Sequence, residues 1–315
     1  GGYQEMWAGA ESRNGASALQ QRIGIAGANG EKFGWMTRWS TDLDSGDFDL
    51  FEELEDAVFF LRPNEQLLVT LGKQKIPFTR SIAEPNFERF AFDRPLVVNQ
   101  IGPRRNFGLL AAHRGEILEW RTGVFTSAQS GEERWPAFDG GTIWYAGLTH
   151  ELGHDLGELR FDALYHNDDV NSEGIDGWDR MLAASFLTEH ENLRFEAEAI
   201  WGAGVEMGGE TYEDVWGLAV QPSLRITDSI QWFWRYQYAF GNGGLKLYKG
   251  TILPPPGGRA FGRSWHALGT GVVVDLPKIP SSRLVAGVEW ANLDRVEGRG
   301  EFDGWTVYAG FRFRL

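Results

Sequence analysis

Arginines and carboxylates alternate with apolar residues in many segments of about ten residues, and they are the side chains best suited to chemistry. The arginines predicted to share one face of these segments are Arg22, Arg38, Arg104, Arg121, Arg160, Arg180, Arg194, Arg225, Arg235, Arg283, Arg312 and Arg314. The same face carries carboxylates, among them Glu119, Glu158, Asp162, Glu196, Glu198 and Glu289. A guanidinium stays charged and offers several donors, so an excess of arginine at one level would attract anions. The alternative is that each arginine pairs with a nearby carboxylate and only braces the structure.

A second chemical pattern is His150-Glu151-Leu152-Gly153-His154, which has the H-E-x-x-H spacing of zinc proteases. That chemistry requires both imidazoles one helical turn apart, with the glutamate beside them as base. Here the pattern follows an alternating segment and carries a glycine where the helix would run. We therefore interpret it as a chance match in a turn, and we predict no metal and no cofactor.

The alternation itself predicts β-strands, because successive side chains of a strand point to opposite faces. In 229–240, SIQWFWRYQYAF, aromatic or aliphatic residues take every second position, with amides and an arginine between them. About sixteen strands are predicted. The clearest are 19–28, 32–42, 66–75, 104–114, 116–126, 158–166, 192–201, 229–240, 283–291 and 304–315. Weaker patterns lie at 50–61, 142–151, 179–189, 215–226 and 264–275, and 3–11 adds the last.

The composition favours an all-β chain of the bacterial envelope. The 315 residues include 14 Trp, 21 Phe and 41 Gly but no Cys, which suits an oxidising periplasm. No run of eighteen apolar residues occurs, so a helical membrane protein is excluded. The net charge of −14 argues against nucleic acid as a partner. The start at Gly1 shows no signal peptide, so we expect an exported protein in its mature or trimmed form.

The connections between the predicted strands alternate between short and long. Short ones such as 62–66 and 190–192 are each followed by a long one, and the predicted long connections are 43–49, 76–103, 127–140, 167–177, 203–213, 241–261 and 292–302. This order is typical of outer-membrane barrels, with short periplasmic turns and long extracellular loops. We predict one domain, 1–315, that forms a transmembrane antiparallel up-and-down β-barrel. A large soluble β-barrel or sandwich stays open as an alternative.

The two faces of the strands indicate which side meets lipid. Apolar residues such as Phe161, Leu284 and Trp305 are expected to face acyl chains, while the charged face surrounds water. A soluble barrel would place them the other way round. We therefore expect an integral protein of the bacterial outer membrane, with membrane lipid and lipopolysaccharide as partners.

Two features bear on assembly. The final strand, YAGFRFRL at 308–315, resembles the terminal strands that barrel-assembly machinery recognises, although it ends on Leu315 rather than the usual Phe. Small residues interpreted as facing outward would let barrels pack together, for example as a homotrimer. These residues are Ala183, Ser185, Ala267, Gly269 and Gly271.

The connection 76–103 is too apolar for a freely exposed loop, since it contains Phe78, Phe87, Phe90, Phe92, Val97 and Val98. We expect it to fold inward, pack inside the barrel and narrow the lumen. Its charged side chains would then edge the constriction, together with two arginines that follow it. These are Arg80, Arg89, Arg94, Arg104 and Arg105.

The stretches LGKQKIPF at 71–78 and RRNFGLLAAHRG at 104–115 resemble the phosphate-selective porin O/P family. That resemblance implies a sixteen-stranded, usually trimeric outer-membrane channel lined with arginines. It further implies passive diffusion with a preference for phosphate-like anions, and Lys73, Lys75 and the loop arginines as anion contacts. The chain differs from the family in having no lysine between Ile76 and Pro103. Strict alternation also turns Lys73 and Lys75 outward, where they could meet lipopolysaccharide phosphates.

Two other functions compete with a channel. One is a non-conducting structural or adhesive envelope barrel. The other is an outer-membrane lipase-type enzyme, which would need a histidine, a hydroxyl nucleophile and an orienting group together. Ser264 and His266 form the one near pair in the sequence. We predict that the protein is not an enzyme.

Overall fold

The computed structural model describes most of the chain. The described residues are 2–11, 17–30, 32–42, 49–84, 90, 94–95, 97–98, 102–103, 105–126, 141–153, 156–167, 178–207, 210–247, 260–277, 279, 282–294 and 302–314. Sixteen strands are found in this part of the chain. In order they are β1 Gly2–Glu11, β2 Ser17–Asn29, β3 Phe33–Asp42, β4 Asp49–Leu61, β5 Leu67–Lys75, β6 Arg105–Arg114, β7 Leu118–Thr126, β8 Thr142–Glu151, β9 Glu158–His166, β10 Arg180–His190, β11 Leu193–Met207, β12 Glu210–Thr227, β13 Ile230–Leu247, β14 Ala260–Asp275, β15 Ser282–Leu293 and β16 Phe302–Arg314.

The strands form a closed barrel. Each strand pairs antiparallel with its neighbours in the chain, and β1 pairs with β16 to complete the ring. Closure satisfies the backbone of every strand and leaves no edge. A short helix, α1 (Arg80–Ala83), follows β5. Among the described residues, no helix is long and apolar enough to cross a bilayer. The predicted up-and-down barrel of sixteen strands is confirmed.

The outer face of the barrel is apolar, whereas the inner face carries the charged and polar side chains together with buried hydrophobic ones. Phe161 is 53% exposed, whereas Arg160 and Asp162 on either side of it are 4% and 3% exposed. Similarly, Trp232 is exposed while Phe233 and Arg235 are buried inside the ring. The register of the strands thus follows the hydrophobic pattern, because a slip of one residue would exchange the two faces.

The small residues predicted to face outward were assigned to the wrong face. Their neighbours Leu182 and Leu268 are 52% and 56% exposed, so these two hold the outer positions. The residues that face inward instead are Ala183, Ser185, Ala267, Gly269 and Gly271. They leave room for large inner side chains such as Glu289, which lies 3.2 Å from where a Cβ on Gly269 would be.

Arg180 was also assigned to the wrong face. It alternates in step with the exposed Leu182, and its guanidinium lies 5.8 Å from the ring centre of Trp201. Trp201 is the register partner of Leu182 on β11 and therefore shares its outer face. Arg180 thus belongs to the outer surface near a strand end.

The predicted loop at 203–213 is wrong, because strands continue through most of it. Val205 pairs with Tyr212 and Met207 with Glu210, so β11 and β12 are joined by two residues only. Likewise β13 extends to Leu247, which pairs with Ala260. Backbone pairing here goes on beyond the apolar part of the strands, where the side chains no longer alternate by polarity.

Candidate functional site

The segment after β5 leaves the wall and packs against inner-face side chains of distant strands. Ile76 and Phe78 are fully buried, and they belong to one hydrophobic cluster with Met181 of β10 and Ile200 of β11. Val97, further along the segment, contacts Gly217 of β12, where a Cβ would lie 2.6 Å from the valine Cγ2. Gly217 therefore permits the close approach of the segment to the wall.

Side chains of the wall bind the backbone of residues 77–81. The Tyr145 hydroxyl oxygen of β8 lies 3.0 Å from the Pro77 carbonyl oxygen, and Arg160 of β9 donates to that carbonyl. The Thr79 N–H donates to Asp162 of β9 at 3.2 Å. We call Tyr145, Arg160 and Asp162 together the Asp162 anchor.

The Asp162 anchor is itself tightly connected. Arg160 donates from Nε and Nη2 to the two Asp162 oxygens at 2.7 and 3.0 Å, and Tyr145 donates to Asp162 Oδ1 at 2.7 Å. Arg160 and Asp162 lie two positions apart on β9, so alternation places them side by side on the inner face. Bidentate charge-assisted bonds of this kind are short and strong.

Thr79 has an unusual backbone conformation at the point of attachment. Its φ is 64°, which a β-branched residue rarely adopts. Its side chain caps helix α1 by accepting a hydrogen bond from Ile82 N at 3.3 Å, while its own N–H is bound by Asp162. A strained backbone conformation of this kind persists only where surrounding contacts hold it, and here the two hydrogen bonds of Thr79 do so.

Two predicted arginines of the segment are bound as well. Arg80 forms an ion pair with Glu158 on β9, and Arg94 Nε donates to the Ser81 carbonyl at 2.9 Å. Burial lowers the pKa of Arg80, although nearby Glu196 acts in the opposite direction. An arginine pKa starts so high that the side chain stays charged at neutral pH.

Arg194 of β11 connects the wall to the segment by charge. It pairs with Glu84 at 3.1 Å and with Glu189 at 3.1 Å, and its Nε donates to Glu196 at 2.7 Å. Its guanidinium also lies 4.8 Å from the ring centre of Phe90. The predicted site residues Arg194 and Glu196 therefore do lie together. They form an ion pair with each other, as the bracing alternative expects.

A second charged cluster lies on β3, β4 and β6, and β4 and β6 are the two neighbours of β5, after which the segment begins. Arg38 of β3 pairs with Asp56 and, at 3.2 Å, with Glu55. Arg105 of β6 pairs with the same two carboxylates at 3.0 and 3.1 Å. A bulge in β4 opposite Arg38 and Trp39 lets the consecutive residues Glu55 and Asp56 both be buried on the inner side.

Most of the remaining predicted arginines with described side chains also have partners, and Arg283 pairs with Asp275, whereas Arg225 is exposed and no side-chain partner of it is found among the described residues. Arg121 pairs with Glu119 on β7, and Arg235 of β13 pairs with Glu289 of β15 at 2.8 Å. Arg312 of β16 is 1% exposed and therefore fully enclosed. The side chains of Arg22 and Arg314, and the whole of Arg89 and Arg104, lie outside the described residues. Pairing of this kind is what the bracing alternative expects.

Lys73 and Lys75 are not brought together with the arginines of the segment. Both alternate in step with Leu71, which is exposed on the outer face, and Lys73 has Phe107 as its register partner on β6. The lysines therefore lie on the outer face, as strict alternation predicts.

The two enzyme-like patterns receive no geometric support. His150 lies in strand β8 rather than on a helix, and His154 is outside the described residues. Across the described ranges, no three His, Cys, Asp or Glu side chains are grouped to hold a metal ion. Ser264 donates to Asp294, whereas His266 Nδ1 lies 3.0 Å from the Tyr236 hydroxyl, so the two have separate partners.

Several solved structures are similar to this chain, although no protein-family model and no curated protein matches it. OmpF of Salmonella typhi, in complex with daunomycin, aligns with a TM-score of 0.66 at 12% identity over 100% of this chain and 96% of that one. A loop-deletion variant of OmpT, an outer membrane protein of Vibrio cholerae, aligns with 0.64 at 11% over 100% and 97%. An anion-selective porin from Comamonas acidovorans aligns with 0.61 at 10% over 100% and 98%. These likenesses show that the chain has the barrel fold of outer-membrane porins.

Proposed function

We propose that this barrel is an outer-membrane porin that allows small polar solutes to diffuse passively across the membrane. The observation that carries the proposal is the combination of an apolar outer face with an inner face rich in charged side chains. Lipid would surround the outer face, and water would fill the remainder of the polar interior. The solved structures that are similar to this chain include an anion-selective porin and OmpF, which supports the same function and location.

The first test is current through the purified protein in a planar lipid bilayer. Stepwise increases in current are expected, because each inserted barrel adds one water-filled path. Barrels that insert without any steps would contradict the porin and favour the structural or adhesive alternative. Hydrolysis of phospholipid by the same preparation would instead support the lipase-type alternative.

We further propose that 76–103 forms the constriction. The contacts of residues 77–81 with β8, β9 and β11, although these residues follow β5, support this proposal. Deleting 84–93 is expected to raise the single-channel conductance, because it removes the part that includes Glu84 and Phe90, which contact Arg194.

A matched control deletes ten residues from another connection, 250–259 between β13 and β14. This deletion is expected to leave the conductance close to that of the unmodified chain. Equal conductance in the 84–93 deletion and the unmodified chain would contradict the constriction.

The finer form of the proposal is a preference for phosphate-like anions. The arginines that face the interior support it, while the carboxylates paired with Arg38, Arg194 and Arg235 reduce the field that an anion would meet. We expect a small anion preference that declines as salt screens the charges. The reversal potential in a salt gradient, before and after phosphate addition, measures it, and a cation-selective reversal potential would contradict it.

We also propose that the barrels form a homotrimer, because a similar solved structure of in-vitro folded Vibrio cholerae OmpT is a trimer form. Unheated gel mobility and the mass of the detergent complex would reveal a monomer if this is wrong. The outward position of Lys73 and Lys75 suits contact with lipopolysaccharide phosphates. Recognition of the last strand by the barrel-assembly machinery is proposed from its sequence.

A further inference from the structure

An apolar groove lies on the outer face of the barrel, on strands β8 to β11. Its volume is about 640 Å³, within the roughly 300–1,000 Å³ that is usual for ligand pockets. Small outward-facing side chains form its floor as two pairs of register partners on neighbouring strands. These are Ala146 with Ala163 and Ala184 with Ala199. The floor extends over four strands spaced about 4.8 Å apart, so it is roughly 15 Å across.

Large apolar side chains border this floor on two sides. Leu148 and Phe161 are register partners on the side of the short connections, and Leu182 and Trp201 are register partners on the side of the long ones. Hydrocarbon chains of a lipid can therefore lie against the alanines, closer to the barrel wall than the bordering side chains permit elsewhere. The surrounding bilayer is as apolar as the groove, so close packing rather than the hydrophobic effect would favour a chain in this position.

A cation and two aromatic side chains lie just beyond the groove, toward the long connections. Arg180, Tyr165 and Trp144 are register partners on β10, β9 and β8, in the row that follows Ala163 and Ala146. Trp144 and Tyr165 are 52% and 55% exposed, and Arg180 is exposed as well. Aromatic side chains with one polar end are typical of the level at which lipid head groups begin. A lipid with its chains in the groove would therefore hold its head group beside Arg180.

The charge of Arg180 indicates which head group fits. Its guanidinium lies 5.8 Å from the ring centre of Trp201, which lines the groove, and no ion pair of Arg180 is found in the described part of the chain. A second barrel packed on this face would enclose the charge, which is costly unless the partner provides a carboxylate there. An anionic lipid brings its own phosphate to the same level, and a guanidinium binds phosphate well.

We propose that this groove is a binding site for a phosphate-bearing lipid of the membrane. The phosphate accepts hydrogen bonds from Arg180, and the acyl chains lie on the floor formed by the four alanines. The site goes beyond the porin proposal, since it depends on the proposed membrane location but not on conduction.

The test uses native mass spectrometry of the purified full chain in detergent, with dimyristoyl phosphatidylglycerol as the probe. The barrel is expected to retain this lipid in preference to dimyristoyl phosphatidylcholine, which has the same chains but no net charge. It is also expected to prefer the probe to dihexanoyl phosphatidylglycerol, which has the same head group on short chains, and to inorganic phosphate.

Ala163→Trp tests the groove. The variant is expected to weaken retention of the probe by about fivefold or more, because a bulky side chain on the floor removes many carbon–carbon contacts with the acyl chains. The matched control is Ala286→Trp, which makes the same change at an outward-facing, exposed position of β15 outside the groove. Heat-modifiable gel mobility checks that each variant is folded.

Arg180→Gln tests the head-group contact. It is expected to weaken retention of the probe by about fivefold, the usual effect of one basic residue on binding to an anionic lipid surface, and to leave phosphatidylcholine unaffected. The matched control is Arg62→Gln. Arg62 also lies 5.8 Å from an aromatic ring centre, that of Phe60, but it belongs to the short connection after β4.

Equal retention of the two dimyristoyl lipids by the unmodified barrel would overturn the site, as would equal retention of the probe by Ala163→Trp and Ala286→Trp. Displacement of the probe by an equal amount of inorganic phosphate or the dihexanoyl lipid would show a site for free phosphate and would also overturn it. If Ala163→Trp dissociated an oligomer and left lipid retention unchanged, the groove would belong to a contact between barrels instead. Lipid retention without current steps supports the site and contradicts the porin, whereas current steps without lipid retention do the reverse.

Discussion

Replacing Asp162 with alanine is expected to lower the free energy of unfolding of the barrel by about 3–5 kcal/mol, the usual loss when one partner of a buried ion pair is removed. Asp162 accepts two hydrogen bonds from Arg160, one from Tyr145 and one from the Thr79 N–H. Its removal leaves the Arg160 charge enclosed without a carboxylate. Urea titration of the barrel in lipid vesicles, followed by tryptophan fluorescence, measures the change.

Asp275→Ala is the matched control. Asp275 also pairs with an arginine, Arg283, but its side chain is 51% exposed. Exposed ion pairs contribute about 0–1 kcal/mol, so this variant should unfold almost as the unmodified chain does. Similar losses in both variants would contradict a special role for the Asp162 anchor.

The same variant has a second readout. Thr79 loses the acceptor of its N–H when Asp162 is replaced, so the segment at 77–81 is held less firmly. Single-channel current through Asp162→Ala is expected to fluctuate more than current through Asp275→Ala. Reduced stability with unchanged current would show that the anchor holds the wall together and not the segment.

Replacing Phe161 with arginine is expected to lower the free energy of unfolding by about 2–4 kcal/mol, because a charge would face hydrocarbon near the middle of a strand. Phe161 is exposed on the outer face of β9, three positions after the strand begins at Glu158. The same urea titration in vesicles measures the loss. Reduced recovery of folded barrel from vesicles should accompany it.

Leu156→Arg provides the comparison for position. Leu156 is also exposed, but it lies in the short connection between β8 and β9. Near the membrane surface an arginine costs about 0–1 kcal/mol. If Phe161→Arg were as harmless as Leu156→Arg, the outer face would not meet lipid, and a soluble barrel would fit better.

The alternation of side chains was sufficient to predict the strands and their outer face. Phe161, Leu284 and Trp305 are large and apolar, and each holds an exposed position of its strand. Burying such residues on the wrong side would be costly at many positions at once, so the pattern fixes the register. The short connections were predictable for a similar reason, since each joins two clear patterns.

Small residues give much less information about which face of a strand they occupy. Ala183 and Gly269 fit on either face of a strand, so their size alone indicated a surface for packing between barrels. Their actual direction follows from Leu182 and Leu268, the large neighbours that take the outer positions. Alternation counted along the strand from Leu182 and Leu268, which face outward, places Ala183 and Gly269 on the inner face.

The contacts that hold the inner segment could not be predicted from the sequence. Pro77 contributes a carbonyl and Thr79 an N–H, and neither group has a residue-specific pattern. Tyr145 was not recognised as a site residue, since it is one aromatic among many in an alternating strand. These partners are identified only when closure places β8 and β9 across from the end of β5.

The wall side chains that bind residues 77–81 belong to residues much later in the sequence. Thr79 bonds to a residue 83 positions further on, and Ser81 to one 117 positions further on. Contacts this distant form only after the intervening strands are in place. A ring that stops before β8 therefore lacks the wall groups that bind this segment, so a partly assembled barrel leaves residues 77–81 without the partners that the described part of the wall gives them in the finished one.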